Sequence, residues 1–210
     1  MELILVRHGE TDWNKDSVFR GHMDIRLNAT GIAQSDATAK ALEGRVFEAI
    51  YSSPLKRAMV TARRIAAPHE IQVREKFELV DINYGVWQGL PESTVEQKYP
   101  QLYEKWLKKP TKVRPPGGES PRKCWKRVNT ALREILFLHG TGTVVLISHR
   151  IPIKMMTSYL LGRNLHYISK IRHDPCAISI FRVEERTYEP LKLNDTSHLS
   201  GLKPPDQRDF

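Results

Sequence analysis

Cysteine is scarce in this chain of 210 residues, which has only Cys124 and Cys176. Neither sits in the close Cys or His spacing that metal modules, dithiol redox centres and disulfide scaffolds require. Both are expected to be buried thiols, Cys124 in a helix and Cys176 in a strand. His69, His166, His173 and His198 are likewise scattered without a ligand pattern, so neither a metal nor another cofactor is expected. Long apolar runs are missing as well. No stretch approaches the eighteen or more residues of a membrane span, and no signal-peptide pattern is visible. A cytoplasmic protein without a membrane partner is therefore expected.

Acidic residues are outnumbered, with 24 Asp and Glu against 33 Lys and Arg, for a net charge of +9. That balance suits nucleic acid, an anionic surface or a small anionic ligand equally well. No RNP-like aromatic strand, KH loop or zinc-finger spacing accompanies it, so nucleic acid is not expected as a partner. Repeats and low-complexity tracts are absent too. A hydrophobic content of 40% over this length is enough for one substantial core.

What is present begins with Leu3-Ile4-Leu5-Val6-Arg7-His8-Gly9-Glu10-Thr11. An apolar strand here ends in an arginine and a histidine, at the carboxyl edge where open α/β sheets keep their ligands. An imidazole can attack an electrophile, and a guanidinium beside it can hold phosphoryl oxygens. Gly9 allows close backbone approach, and Thr11 and Asn14 add short polar groups. The alternative is a strand-end histidine satisfied by a carbonyl, next to a surface arginine.

The rest of the chain supplies an α/β alternation. Thr30 is placed to cap a helix over 31–43, followed by a strand over 49–52. Ser53-Pro54 reads as the start of a second helix, ended by Pro68. A short strand over 71–73 follows, and then a looser segment, 80–119, reads as an insertion over the sheet edge that covers a site. Ser120-Pro121 opens a long helix reaching Gly140. The strand over 143–147 is apolar throughout, as a central parallel strand is, and it too ends in a polar pair, Ser148-His149. A helix over 152–161 and strands over 177–183 and 191–193 complete the pattern. The fold expected is three-layered: a mostly parallel sheet with helices on both faces and one antiparallel edge strand. A single domain spans 1–200, and 201–210 reads as a loose tail. Two strands thus end in histidine, and a helix carries Arg57 near its start. Such a sheet allows all three to converge on one crevice, although spacing alone does not prove it.

The ordered blocks carry a resemblance. Arg7-His8-Gly9-Glu10-Thr11 with Asn14, then Arg20-Gly21 with Asp24 and Leu27, then Gly31 and Gln34 resemble the first signature of the histidine phosphatase (phosphoglycerate mutase-like) superfamily. Ser52-Ser53-Pro54-Leu55-Lys56-Arg57-Ala58, Tyr84-Gly85 with Trp87 and Gly89, Gly117-Gly118-Glu119-Ser120, and Ser148-His149 match its later blocks in order. The resemblance implies a phosphoglycerate mutase-like fold in which His8 becomes phosphohistidine. Arg7, Arg57 and His149 would surround the phosphoryl group, and Thr11, Asn14, Arg20, Gly21, Tyr84, Ser148 and Arg150 would line the substrate site. Two guanidiniums and a second imidazole supply the preorganised donors that phosphoryl transfer needs, without a metal.

The family also uses a carboxylic acid, normally a glutamate shortly before the Tyr/Phe-Gly pair. Here that position is Asp81, whose carboxyl sits one methylene nearer the backbone. Glu78 is the rival, and in an extended segment it would point to the opposite face, which favours Asp81. Arg20 stands where relatives often have glutamine, and Arg150 where a small residue is common. These two extra cations suggest a second anionic group on the substrate, or else salt bridges to acidic neighbours. Tyr84, Trp87 and Tyr103 either wall the leaving group or pack the insertion, with Tyr103 the more readily read as packing.

The implied activity is a metal-independent phosphomonoesterase acting on a small phosphorylated metabolite, similar to the phosphoserine and α-ribazole phosphatases of bacteria. A phosphoglycerate mutase is the alternative, disfavoured because the Arg-His-Tyr-Gly run and longer segments of the mutases are missing. A non-catalytic phospho-ligand module is the third reading. Relatives are often dimers, and an edge strand near the C-terminus is a plausible contact.

Overall fold

The computed structural model describes residues 1–185 and 187–202. Its first strand, β1 (Glu2–Arg7), places Leu3 and Leu5 in one apolar cluster and Ile4 and Val6 in the other. All four side chains are fully buried. A strand apolar on both faces has to be covered on both faces, and five further described strands join it in one sheet, the central ones buried and the two at the edges largely exposed. They are β2 (Ala49–Ser52), β3 (Val73–Glu75), β4 (Thr143–Ser148), β5 (Ile178–Glu184) and β6 (Thr187–Asp195). The sheet order is β3-β2-β4-β1-β5-β6. The first four in that order run parallel, with Arg7 of β1 in register with Ser148 of β4. The mostly parallel sheet ends, as expected, in an antiparallel edge, where β5 runs against β1 and β6 against β5.

Seven α-helices are described: α1 (Asp12–Lys15), α2 (Ala29–Leu42), α3 (Lys56–Ala66), α4 (Glu92–Lys98), α5 (Pro100–Lys108), α6 (Pro121–Leu138) and α7 (Arg150–Leu160). On one face α2 and α3 set Ala39, Leu42, Ala58, Ala62 and Ile65 against Ile4, Val6, Ile50, Val145 and Ile147. Small alanines let these helices approach the sheet closely. On the other face lie α6, α7 and the insertion, whose Trp87, Tyr84 and Trp106 pack around Phe19 at ring-centroid distances of 5.1–6.1 Å. Tyr103 is buried in the same cluster. Burying one large side chain of this kind contributes roughly 1.5–3 kcal/mol, so the insertion is part of the core.

Several boundaries differ from the sequence reading, and each has a local cause. Helix α2 is capped by Asn28, whose side chain accepts from the Gly31 N–H at 2.8 Å, two residues before the expected Thr30. Helix α3 starts at Lys56, not at Ser53-Pro54, because Asp24 Oδ1 accepts the Lys56 N–H at 2.7 Å and acts as a cap from a distant loop. Cys176 lies in no strand but in a turn with φ of 56° just before β5, and it is buried and free like Cys124. Of the expected tail, 203–210 lies outside the described residues, while the Leu202 carbonyl accepts from Gln34 Nε2 at 2.9 Å. No helix among the described residues is long and apolar enough to cross a membrane.

Candidate active site

The register of β1 with β4 brings two histidines together at the carboxyl edge of the sheet. The His8 N–H donates to the Ser148 carbonyl at 3.0 Å, and the rings of His8 and His149 meet edge to face with centroids 5.1 Å apart. Gly9 makes this possible. A Cβ there would lie 2.4 Å from the Gly31 carbonyl oxygen, so only glycine lets the loop after His8 close against α2.

The hydrogen bonds fix which nitrogen of His8 keeps its lone pair. Nδ1 lies 2.7 Å from the Gly9 carbonyl, an acceptor only, so Nδ1 carries the proton and donates. Nε2 then keeps its lone pair, and Arg57 Nε donates to it at 3.3 Å. Burial, Arg57 and Arg7 together hold the His8 imidazole well below its ordinary value of 6.5. The ring is therefore neutral at neutral pH. Burial and the same cations do likewise for His149, whose Nε2 lies 2.8 Å from Ser53 Oγ and whose buried Nδ1 has no partner among the described residues.

Three arginines at the site, Arg57, Arg7 and Arg20, are fastened by carbonyls. Arg57 Nη1 donates to Met23 at 2.7 Å and Nη2 to Gly21 at 2.8 Å. Gly21 adopts a φ of 49°, which favours glycine, and so turns its carbonyl toward the guanidinium. Arg7 Nη1 donates to the His173 carbonyl at 2.7 Å. Partly buried Arg20 donates from Nη1 to the Trp13 carbonyl at 2.9 Å. Its guanidinium is pulled down to about 10 by burial first and by the neighbouring Arg150 cation next, with Asp81 opposing. Arg150 is the first residue of α7, directly after His149 at the helix cap. The Tyr84 phenol, deep in the aromatic cluster, is pushed up by burial and by Asp81.

Asp81 is buried, and its Oδ2 lies 3.9 Å from Arg57 Nη2. Its Oδ1 accepts the Ile82 N–H at 3.0 Å. Glu78 faces the other way, 3.8 Å from Lys76 with its side chain 44% exposed. Phe77–Leu79 forms a 3-10 turn and not the extended segment expected, so this turn, not strand alternation, parts the two carboxylates. Thr11 and Asn14 are directed at each other: Thr11 N and Oγ1 both donate to Asn14 Oδ1, closing the first turn of α1. The Ser148 hydroxyl donates to the Leu79 carbonyl at 2.6 Å and pins the loop that carries Asp81.

Some members of the site were not visible in the sequence. Ser53 looked like a helix cap and instead meets His149. His22 lies 2.9 Å from the Asp81 carbonyl through Nε2. Arg127 reaches the same loop from α6. The one signal available for Ser53 was its place in a motif block, and for Arg127 there was none. Among the described residues no cluster of His, Cys, Asp and Glu could hold a metal ion.

A family model described as histidine phosphatase superfamily (branch 1) matches residues 3–196. Phosphoserine phosphatase 1 of Hydrogenobacter thermophilus is 37% identical over 199 residues, spanning 95% of this chain and 94% of the relative. Phosphoglycerate mutase-like protein 4 of Arabidopsis thaliana is 36% identical over 203 residues, or 94% of this chain and 86% of the relative. Among solved structures, a mutant phosphoserine phosphatase from Entamoeba histolytica in complex with phosphoserine superposes with a TM-score of 0.82 at 30% identity, covering 94% of this chain and 98% of the other. The Shigella flexneri α-ribazole phosphatase gives 0.88 at 25% identity, with 93% and 96% covered.

Proposed function

Since this chain belongs to the histidine phosphatase superfamily (branch 1) and is a phosphatase, we propose that it hydrolyses a small phosphate monoester through a phosphohistidine on His8. The observation that carries this reading is the tautomer of His8, with Nδ1–H held by Gly9 and a neutral Nε2 beside Arg57. In the first step the Nε2 lone pair attacks phosphorus and the bond to the leaving oxygen breaks. Asp81 in its acid form gives its proton to that oxygen. In the second step the Asp81 carboxylate takes a proton from water, the water oxygen attacks phosphorus, and the phosphorus–nitrogen bond breaks. Phosphate leaves and Asp81 is again protonated.

Arg7, Arg57 and His149 stabilise the charge that spreads over the equatorial oxygens. His149 does so with an Nδ1–H, if Ser53 donates its hydroxyl proton to Nε2. The α7 N-terminus adds its dipole. Arg20 and Arg150, two cations close enough to depress Arg20, fit a substrate with a second anionic group such as a carboxylate. A substrate of the kind named for the relatives, phosphoserine, has that form.

The test is phosphate release from a panel of phosphorylated metabolites that includes phosphoserine and 3-phosphoglycerate. Release of inorganic phosphate supports the hydrolase. Conversion of 3- to 2-phosphoglycerate with a bisphosphate primer, without net release, would replace it with the mutase reading. No turnover of any ester would leave a binding module.

A further inference from the structure

We propose that Arg127 is a positioning residue for the proton donor Asp81, an inference that rests on the acid role given to Asp81 above. Arg127 lies on α6. Its Nη1 donates to the Glu78 carbonyl at 2.7 Å and the Val80 carbonyl at 3.0 Å, and its Nη2 reaches the Asp81 carbonyl at 3.3 Å. One planar fork thus grips three carbonyls of the acid-bearing loop. The fork is itself clamped by Glu119, at 3.1 Å from Nε and 2.7 Å from Nη2. This carboxylate belongs to the Gly117-Gly118-Glu119-Ser120 block, and the Glu119 N–H donates to the Asn83 carbonyl at 2.8 Å.

The other carbonyls nearby are held too. Ser148 takes Leu79, and the His22 ring lies against Asp81. The carbonyls of 78, 79, 80, 81 and 83 are therefore all engaged within six residues. Such a density of bonds in a loop outside regular structure fixes a backbone trace. Asp81 needs that more than a glutamate would. Its carboxyl has one fewer rotatable bond with which to correct its aim, and its Oδ1 is tied to the adjacent Ile82 N–H. The direction of the acid is thus set by the backbone, and Arg127 holds three of the carbonyls that fix that backbone. Displacement of a catalytic group by 1 Å can cost on the order of 10²-fold in rate.

The experiment compares kcat/KM for an alkyl ester that the wild-type enzyme turns over, phosphoserine or 3-phosphoglycerate, with kcat/KM for 4-nitrophenyl phosphate. The alkoxide leaving group needs a proton in the transition state and the nitrophenolate does not. In Arg127→Gln the alkyl ester is expected to lose about tenfold more than the aryl ester, with the same selective loss in Asp81→Asn and no added selectivity in the double variant. Glu119→Gln, which keeps the carbonyl contacts and loosens the clamp, should show a smaller loss of the same kind, and it decides the question if Arg127→Gln does not fold. A selective Asp81→Asn with equal losses for both esters in the Arg127 and Glu119 variants overturns the positioning role alone. An unselective Asp81→Asn overturns the acid assignment and this inference with it.

Discussion

Arg57 Nε donates to His8 Nε2 across 3.3 Å, so the guanidinium touches the nitrogen through which the nucleophile would act. The contact does two things at once. It engages the imidazole lone pair and holds the ring in place, and its charge keeps protons off that lone pair.

A pH prediction follows from the sign of that charge. Burial and the arginines lower His8, so the free enzyme loses no activity through His8 protonation until well below pH 6.5. Removing the Arg57 cation must raise His8. In Arg57→Met the acidic limb of the kcat/KM profile is expected to move to higher pH, with a drop of about 10²–10³ in kcat at the optimum. Nitrogen NMR titration of His8 gives the shift directly, and a shift downward or none would contradict the electrostatic account.

The two carboxylates separate cleanly. Asp81→Asn is expected to lower kcat for alkyl esters by about 10²–10⁴, whereas Glu78→Gln, at an exposed position beside Lys76, should stay within about twofold of wild type. Steady-state kinetics on both variants checks this, and the reverse order would return the acid role to Glu78.

That contrast also shows what the sequence could and could not convey. Arg7, His8 and His149 were legible because apolar strands end at them, and a parallel sheet gathers strand ends on one side. Arg57 was legible from its place near a helix start. Ser53, His22 and Arg127 were not, because each acts across a gap of 46 or more residues on a carbonyl or a ring, and no periodicity encodes such a contact. Asn28 in place of Thr30, and Asp24 in place of Ser53, are the same lesson at helix ends: a cap is chosen by loops folded onto it, while the sequence offers several short polar residues side by side.

The pair of outer cations makes a prediction about substrate. Arg20→Ala should raise KM for a monoester bearing a carboxylate by roughly tenfold or more, the value of a charge-assisted hydrogen bond of about 1.5–3 kcal/mol. KM for 4-nitrophenyl phosphate should change little. Equal effects on both esters would place Arg20 on the phosphoryl group instead.

Stability carries its own signature. Burial lowers His8 and His149 and brings His173 to about 3, all from an ordinary 6.5. Below that ordinary value the unfolded chain binds these protons and the folded chain does not. Each group therefore withdraws stability as pH falls through 6.5, by up to about 1.4 kcal/mol per pH unit. Denaturant unfolding between about pH 7.5 and about pH 5 should show this decline, and His173→Asn should make it shallower. An unchanged slope in that variant would mean that His173 is protonated in the folded protein.

The central claim is the covalent intermediate on His8. The most direct measurement is mass spectrometry of enzyme quenched into base during steady-state turnover, where phosphohistidine survives. The account predicts one phosphoryl group on the peptide that contains His8, absent from His8→Ala, which should also lack turnover. A turning-over enzyme that carries no phosphoryl group, or carries it elsewhere, together with an active His8→Ala, would contradict it.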